Sequence, residues 1–195
     1  DHVGAENLVY VTISTGVGGG IIANSEMVTG SSGGAGEVGH LSVRTGAYKC
    51  NVGCDGCFEG NASGPAIART ARDRWTGEGI LADLADGDPQ NVTSRMVFDA
   101  ADDGDPVAKE VVNLTIENVA IGLGSLLNVF NPEALVIGGG VVQGLQRHWD
   151  RLQASVIDHS LPGYGGSIPL TATRLGDDVS LLGAAQPAFR QARRQ

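Results

Sequence analysis

The sequence predicts an α/β domain, and three stretches carry that expectation. A β-branched run, Asn7-Leu8-Val9-Tyr10-Val11-Thr12-Ile13, ends at a cluster of glycines. A long apolar-periodic segment begins after Pro106 and stops at Asn131-Pro132. Directly after it, Ala134-Leu135-Val136-Ile137 runs into Gly138-Gly139-Gly140 and then into a helical pattern, which reads as a buried strand, a glycine turn and a helix.

Taken in chain order, the first strand enters a tight turn over Gly16 to Gly20, and Ile21-Ile22-Ala23 reads as the return strand of a hairpin. Gly30 to Gly36 reads as a loop, and strands and loops are expected up to about residue 60. Ser63 can cap a helix, Pro65 suits its first turn, and Ala66 to Arg72 are good helix formers. A second helix is expected from Thr93. In the segment after Pro106, Val107, Val111, Leu114, Ile116, Val119, Leu123 and Leu127 spread over broad apolar faces, so this is a core helix, with Gly122 and Gly124 as flexible points. Leu145 to His159 reads as helix, Ile168 to Arg174 as strand, and Val179 to Phe189 as a last helix containing Pro187. There is no internal repeat and no long linker.

With 195 residues, 42% of them hydrophobic and 18% charged, one well-buried core is expected. No uninterrupted apolar run approaches the ~20 residues of a membrane helix. The net charge of −9 argues against nonspecific nucleic-acid binding, which needs a basic surface to displace counterions. The acidic stretch from Asp99 to Asp105 reads as a solvated face, with adaptation to high salt as the alternative. No signal peptide is visible and Asp1 stands where a Met would start a chain, so a trimmed or partial chain is expected, in the cytoplasm by default.

Three segments have the composition of sites. Thr15-Gly16-Val17-Gly18-Gly19-Gly20 offers backbone N–H groups and a hydroxyl to a phosphate, although a glycine-rich hairpin without ligand has the same letters. It matches neither the P-loop nor the dinucleotide fingerprint. Gly34-Ala35-Gly36-Glu37-Val38-Gly39-His40 brings a carboxylate and an imidazole into one glycine-rich loop, as ligands for hydroxyls or as an ordinary surface pair. Cys50, Cys54 and Cys57 lie too close together to staple a domain. With His40 they make the four-coordinate shell that zinc takes at structural sites, the alternative being three reduced, unliganded thiols.

The order of these segments resembles the ROK family of sugar kinases and sugar-responsive repressors. The resemblance runs from Ile13 through Thr15–Gly20, Gly30, Gly36, Gly39-His40, Cys50, Gly53, Gly56-Cys57 and Glu59. It continues through Asn131-Pro132-Glu133 and Val136-Ile137-Gly138-Gly139-Gly140 to Leu182-Gly183-Ala184-Ala185. It implies an actin-like ATPase (ribonuclease H-like) fold of two lobes with ligands in the cleft between them. This chain would be the C-terminal lobe, residues 1–195 with a zinc and sugar loop at 34–60, and the N-terminal lobe would be absent.

By the same resemblance, Thr15, Gly16 and Gly18 hold ATP phosphates with Mg²⁺, and Gly138 and Gly139 lie by the adenosine. Glu37, His40 and Glu59 contact sugar hydroxyls. A structural Zn²⁺ on His40, Cys50, Cys54 and Cys57 supports the sugar ligands. Two positions depart from the family pattern: Val52 stands where a cysteine ligand is usual, so that either Cys54 replaces it, the favoured expectation, or zinc is lost, and Ser14 stands where glycine is common.

The family's Asp-Gly-Gly-Thr phosphate segment and the Asn-Asp pair that supplies its general base do not occur in these 195 residues. No catalytic residue is therefore assigned within the chain. The resemblance implies transfer of the γ-phosphoryl of ATP to a hexose hydroxyl, foremost at C6 of glucose, by a cytoplasmic homo-oligomer. The alternatives are an N-acylhexosamine or fructose kinase, a repressor's effector domain, and a noncatalytic sugar-binding module.

Overall fold

The computed structural model describes residues 4–176. Strands β1 (Leu8–Ile13), β2 (Val17–Ala23) and β3 (Glu26–Met27) are followed by two short helices, α1 (Phe58–Ala62) and α2 (Gly64–Arg72). Then come α3 (Ile80–Leu84), α4 (Ser94–Asp102), the long α5 (Pro106–Phe130), β4 (Ala134–Gly138), α6 (Gly140–Leu145), α7 (Trp149–Asp158) and β5 (Leu170–Ala172). The strands form one mixed sheet in the order β3-β2-β1-β4-β5: β1 runs antiparallel to β2 and parallel to β4, which is parallel to β5. The helix expected at Val179–Phe189 and the Leu182-Gly183-Ala184-Ala185 resemblance lie outside the described residues.

Alternation in β1 explains the layering. Val9, Val11 and Ile13 are fully buried while Leu8, Tyr10 and Thr12 are half-buried, so one sheet face carries the core. Opposite that face lies α5, whose Val111, Val119, Leu123, Leu126 and Leu127 share the same cluster as Leu135 and Ile137 of β4. By length and composition α5 would suit a membrane, but 67% of its most apolar window is buried within the fold, as for a core helix.

Local signals set the helix ends. Ser63 Oγ accepts the Ala66 N–H at 3.4 Å, and Thr93 Oγ1 accepts the Met96 N–H at 3.3 Å, as their positions predict. Buried Asp105 serves two segments: Oδ1 accepts the Ala108 N–H of α5 at 2.9 Å, and Oδ2 accepts the Leu81 N–H of α3 at 3.0 Å. Asn131 ends α5 in the left-handed region, at φ 41°, and its N–H bonds the Leu127 carbonyl.

Five expectations are corrected. The hairpin turn is only Ser14–Gly16, because the return strand begins at Val17; Gly18, Gly19 and Gly20 pair with Thr12, Val11 and Tyr10 inside the sheet. Gly19 is needed for close packing, since a Cβ there would lie 2.7 Å from Val38 Cγ2. Gly122 and Gly124 do not loosen α5, which is continuous. A Cβ on Gly122 would meet the Phe58 ring at 2.7 Å, and one on Gly124 the His159 carbonyl at 2.7 Å. The region before residue 60 already holds α1, and the helix expected over Leu145–His159 is broken by a 3-10 turn at Gln146–His148. Strand β5 covers only Leu170–Ala172 of the expected Ile168–Arg174.

Candidate functional site

The sugar and phosphate candidates converge on the start of β2. Because β1 and β4 are parallel, with Thr12 opposite Gly138, their C-terminal ends deliver the Ser14–Gly16 turn and the Gly138–Gly140 turn side by side. This is the edge of an open α/β sheet at which ligands gather. Thr15 is exposed there, and the Ser14 carbonyl accepts the Gly64 N–H at 2.7 Å, which pins the start of α2 to the turn. Ser14 Oγ lies beside the second turn, 3.9 Å from where a Cβ on Gly140 would be.

Glu59 reaches this turn from α1. Its Oε2 accepts the Val17 N–H at 3.1 Å, and a Cβ on Gly16 would lie only 2.7 Å from the same oxygen. The second sugar segment arrives at the other side of Val17: Gly39 sits against the Val17 carbonyl, where any Cβ would overlap the oxygen. Glu37 and His40 are then joined to Glu59 through one residue. Glu37 is 71% exposed, and its Oε2 lies 3.8 Å from His40 Nε2.

His40 turns its other nitrogen to the cysteines. Nδ1 is 3.8 Å from Cys50 Sγ and 3.6 Å from Cys54 Sγ, and one donor atom from each of His40, Cys50, Cys54 and Cys57 lies within 4.8 Å of all the others. A tetrahedral zinc with bonds of ~2.3 Å to sulfur would hold its donors about 3.8 Å apart, so the set has the dimensions and the soft-donor chemistry of a structural zinc site. Val52 is 71% exposed and takes no part.

The loop is closed on itself by N–H bonds from Cys50 to the Cys54 carbonyl and from Gly53 to the Cys50 carbonyl, at 3.1 and 2.9 Å. Partial burial raises the Cys50 thiol, but the Val52 and Cys54 backbone N–H groups and the two neighbouring thiols outweigh it and bring it down to about 7. Hydrogen bonding to Cys50 raises Cys54, and burial raises Cys57. One thiolate is thus favoured first in a cluster whose charges repel. Cys57 also caps α1, its sulfur accepting the Gly60 N–H at 3.4 Å, so the same residue fixes the cluster and the helix that carries Glu59.

At the other turn Gly139 has φ 98° and packs against the Ile13 carbonyl, a conformation and a contact open only to glycine. Gly138 leaves room for the Tyr10 hydroxyl, which a Cβ would approach to 2.5 Å. Among the described residues no side chain caps α6, and its Val142 N–H donates to the Gly139 carbonyl at 3.0 Å.

Beside this turn lies a cavity of about 300 Å³ walled by Ser94, Arg95 and Phe98 of α4 with Gly140, Gln143 and Arg147. Arg147 bonds Asp99 at 2.9 Å and Asp102 at 2.7 Å across it. Sequence reasoning missed these residues because nothing in the letters links α4 to α6; only the contact between the two helices does. Gly18, expected in the phosphate turn, instead lies inside β2 opposite Thr12.

Comparison with known proteins supplies the family. The ROK family profile matches residues 1–190. A glucokinase of Thermotoga maritima is 32% identical over 184 residues, 93% of this chain and 58% of the relative. A glucokinase of Halalkalibacterium halodurans is 36% identical over 182 residues, 92% of this chain and 55% of the relative. The crystal structure of a ROK family glucokinase from Streptomyces griseus, in complex with glucose and AMPPNP, superposes with a TM-score of 0.83 at 31% identity, covering 95% of this chain and 61% of that one. The chain therefore spans less than two thirds of these relatives. From the profile match, the shared mixed α/β sheet and the ordered glycine, cysteine and acidic positions, the chain belongs to the ROK family.

Proposed function

We propose that this chain is the sugar-, zinc- and nucleotide-phosphate-binding part of an ATP-dependent hexose kinase acting foremost on glucose. The observation that carries the reading is the contact of Glu59 with the Gly16-Val17 peptide. An acceptor for sugar hydroxyls beside a glycine turn open to phosphate brings the attacking oxygen and the transferred group to one place, and phosphoryl transfer depends mainly on such positioning. The similar glucokinases, and the glucose and AMPPNP bound by the Streptomyces griseus enzyme, favour glucose and ATP over the other sugar kinases, a repressor's effector domain or a noncatalytic module.

In this reading Glu37, His40 and Glu59 accept and donate hydrogen bonds at the sugar hydroxyls and fix its orientation. Thr15 and the N–H groups of the turn at Gly16 hold phosphate oxygens, while Gly138 and Gly139 admit the adenosine end beside the α4–α6 cavity. Zn²⁺ on His40, Cys50, Cys54 and Cys57 supplies rigidity to the sugar loop, not Lewis acidity. Mg²⁺ accompanies the nucleotide phosphates and neutralises their charge. The chain would be the C-terminal lobe, and the general base would come from a segment outside these 195 residues. The use of ATP supports a cytoplasmic location, and assembly as a homo-oligomer follows from the family resemblance.

The test is a coupled assay of ADP release. The 195-residue chain is expected to give no hexose-dependent turnover, whereas the whole protein phosphorylates glucose in preference to fructose and N-acylhexosamines. Robust turnover by the chain alone overturns the assignment of the base, and a whole protein that binds glucose without turnover moves the reading to a sugar sensor.

A further inference from the structure

We propose that Asn61 and Asn118 are positioning residues that set the geometry of the thiolate cluster, a role that rests on the metal reading above. Both amides are buried, at 6% and 1% exposure, where an amide must find partners for its oxygen and its NH₂ or lose stability. The partners of the Asn61 amide are on the metal loop. Asn61 Nδ2 donates to the Cys57 carbonyl at 2.8 Å and to the Tyr48 carbonyl at 3.5 Å. Those carbonyls belong to the two arms of the loop, one at Cys57 itself and the other two residues before Cys50.

The same Tyr48 carbonyl accepts the Gly56 N–H at 3.2 Å, so Asn61 completes a clasp between the arms. Asn118 extends the clasp to the core. From the middle of α5 its Nδ2 donates to the Asn61 carbonyl at 3.2 Å, while its Oδ1 faces Arg44 Nη1 at 3.4 Å, on the segment between His40 and Cys50.

Apolar packing already joins α1 to α5, since the Phe58 ring fills the space left by Gly122. Two buried amides in the same interface are therefore not needed for adhesion. What they add is direction: a hydrogen-bonded polar network admits one arrangement where an apolar contact admits several. The arrangement they specify is the separation of the Cys50 and Cys57 arms and the pose of the short helix bearing Glu59.

Zinc affinity by chelator competition and the absorption of the Co²⁺-substituted chain test the role. Asn61→Ala is expected to raise the Zn²⁺ dissociation constant about 10-fold or more and to shift the thiolate-to-Co²⁺ band, as loss of partners around metal ligands does. Asn118→Leu is expected to do the same. Val119→Ala, which thins the core at the next position of α5, is expected to lower Tm with both metal readouts unchanged. If Asn118→Leu does not fold, Asn61→Ala decides alone, because it retains the main-chain carbonyl that Asn118 bonds. A wild-type chain that takes up one Co²⁺ beside an Asn61→Ala chain with the same affinity and band overturns the positioning role and leaves the metal reading intact. A wild-type chain that takes up no Co²⁺ overturns both.

Discussion

Glu59 Oε2 accepts the Val17 N–H at 3.1 Å, and Gly16, the residue before, has no Cβ where one would lie 2.7 Å from that oxygen. The carboxylate can therefore rest on the turn only while residue 16 is glycine. Gly16→Ala is expected to push Glu59 off the Val17 N–H and to weaken glucose binding at least tenfold, about 1.4 kcal/mol. The change lies at the cleft edge, so Tm should move little. Titration calorimetry with glucose checks this, and Glu59→Ala should show a loss at least as large. Unchanged affinity in both variants removes Glu59 from the sugar site.

The metal loop makes a second test, because the family's usual cysteine position is Val52 and that side chain points to solvent at 71% exposure, whereas Cys54 Sγ lies 3.6 Å from His40 Nδ1. Cys54→Ser is expected to leave the purified chain with well under one zinc per molecule. Adding Val52→Cys to that variant is not expected to restore it, since the backbone aims residue 52 away from the cluster. Metal analysis of the three proteins decides. Equal zinc in the wild type and in Cys54→Ser rules out Cys54 as a ligand.

What was legible in the sequence is what a local signal dictates. Ser63 and Thr93 mark their helices because a cap acts within three residues, and β1 declares itself by β-branching and alternation. The three cysteines and His40 were legible as a set because metal chemistry needs those atoms whatever the path of the chain. The misread positions are those whose cause is a distant residue. Gly18, Gly19 and Gly20 look like turn residues, yet β2 pairs them with β1, and Gly19 is small because Val38 packs on it. The convergence of Glu59 and Gly39 on Val17, and the α4–α6 cavity, arise from tertiary contacts across 22 to 42 residues or more, beyond the reach of any spacing rule.

Gly122 shows the same distinction as a stability measurement. Alanine is the better helix former by up to ~1 kcal/mol, so a flexible, free-standing glycine would make Gly122→Ala stabilising. Here the added methyl would lie 2.7 Å from Phe58 Cδ1, and relief requires the ring, and α1 with it, to move. Overpacking of this kind costs about 1–3 kcal/mol, which outweighs the propensity gain. Urea denaturation of Gly122→Ala is expected to show a net loss of stability. Because Phe58 lies between Cys57 and Glu59, zinc affinity should fall as well. A stabilised variant would mean that the ring is easily displaced.

His148 links stability to pH. Its ring is 15% exposed and stacks 6.2 Å from Phe98, with Asp102 Oδ1 at 3.4 Å from Nε2. Burial holds its pKa below the ordinary value of 6.5; Asp102 acts in the opposite direction, while Arg151 and Arg147 add to the lowering, and Lys109 lines a separate cavity together with His148 and Arg151. Between the lowered native pKa and about 6.5 the unfolded chain binds a proton that the folded chain does not, so stability rises with pH across that interval. The contribution is complete above about 6.5 and is lost as the pH falls. Urea midpoints from pH 7.5 to 5 are therefore expected to drop more steeply for the wild type than for His148→Gln, in which the carboxylates that also titrate are unchanged. Parallel profiles would mean that His148 takes up its proton in the folded protein as readily as in the unfolded chain, through an approach of Asp102 that offsets its burial.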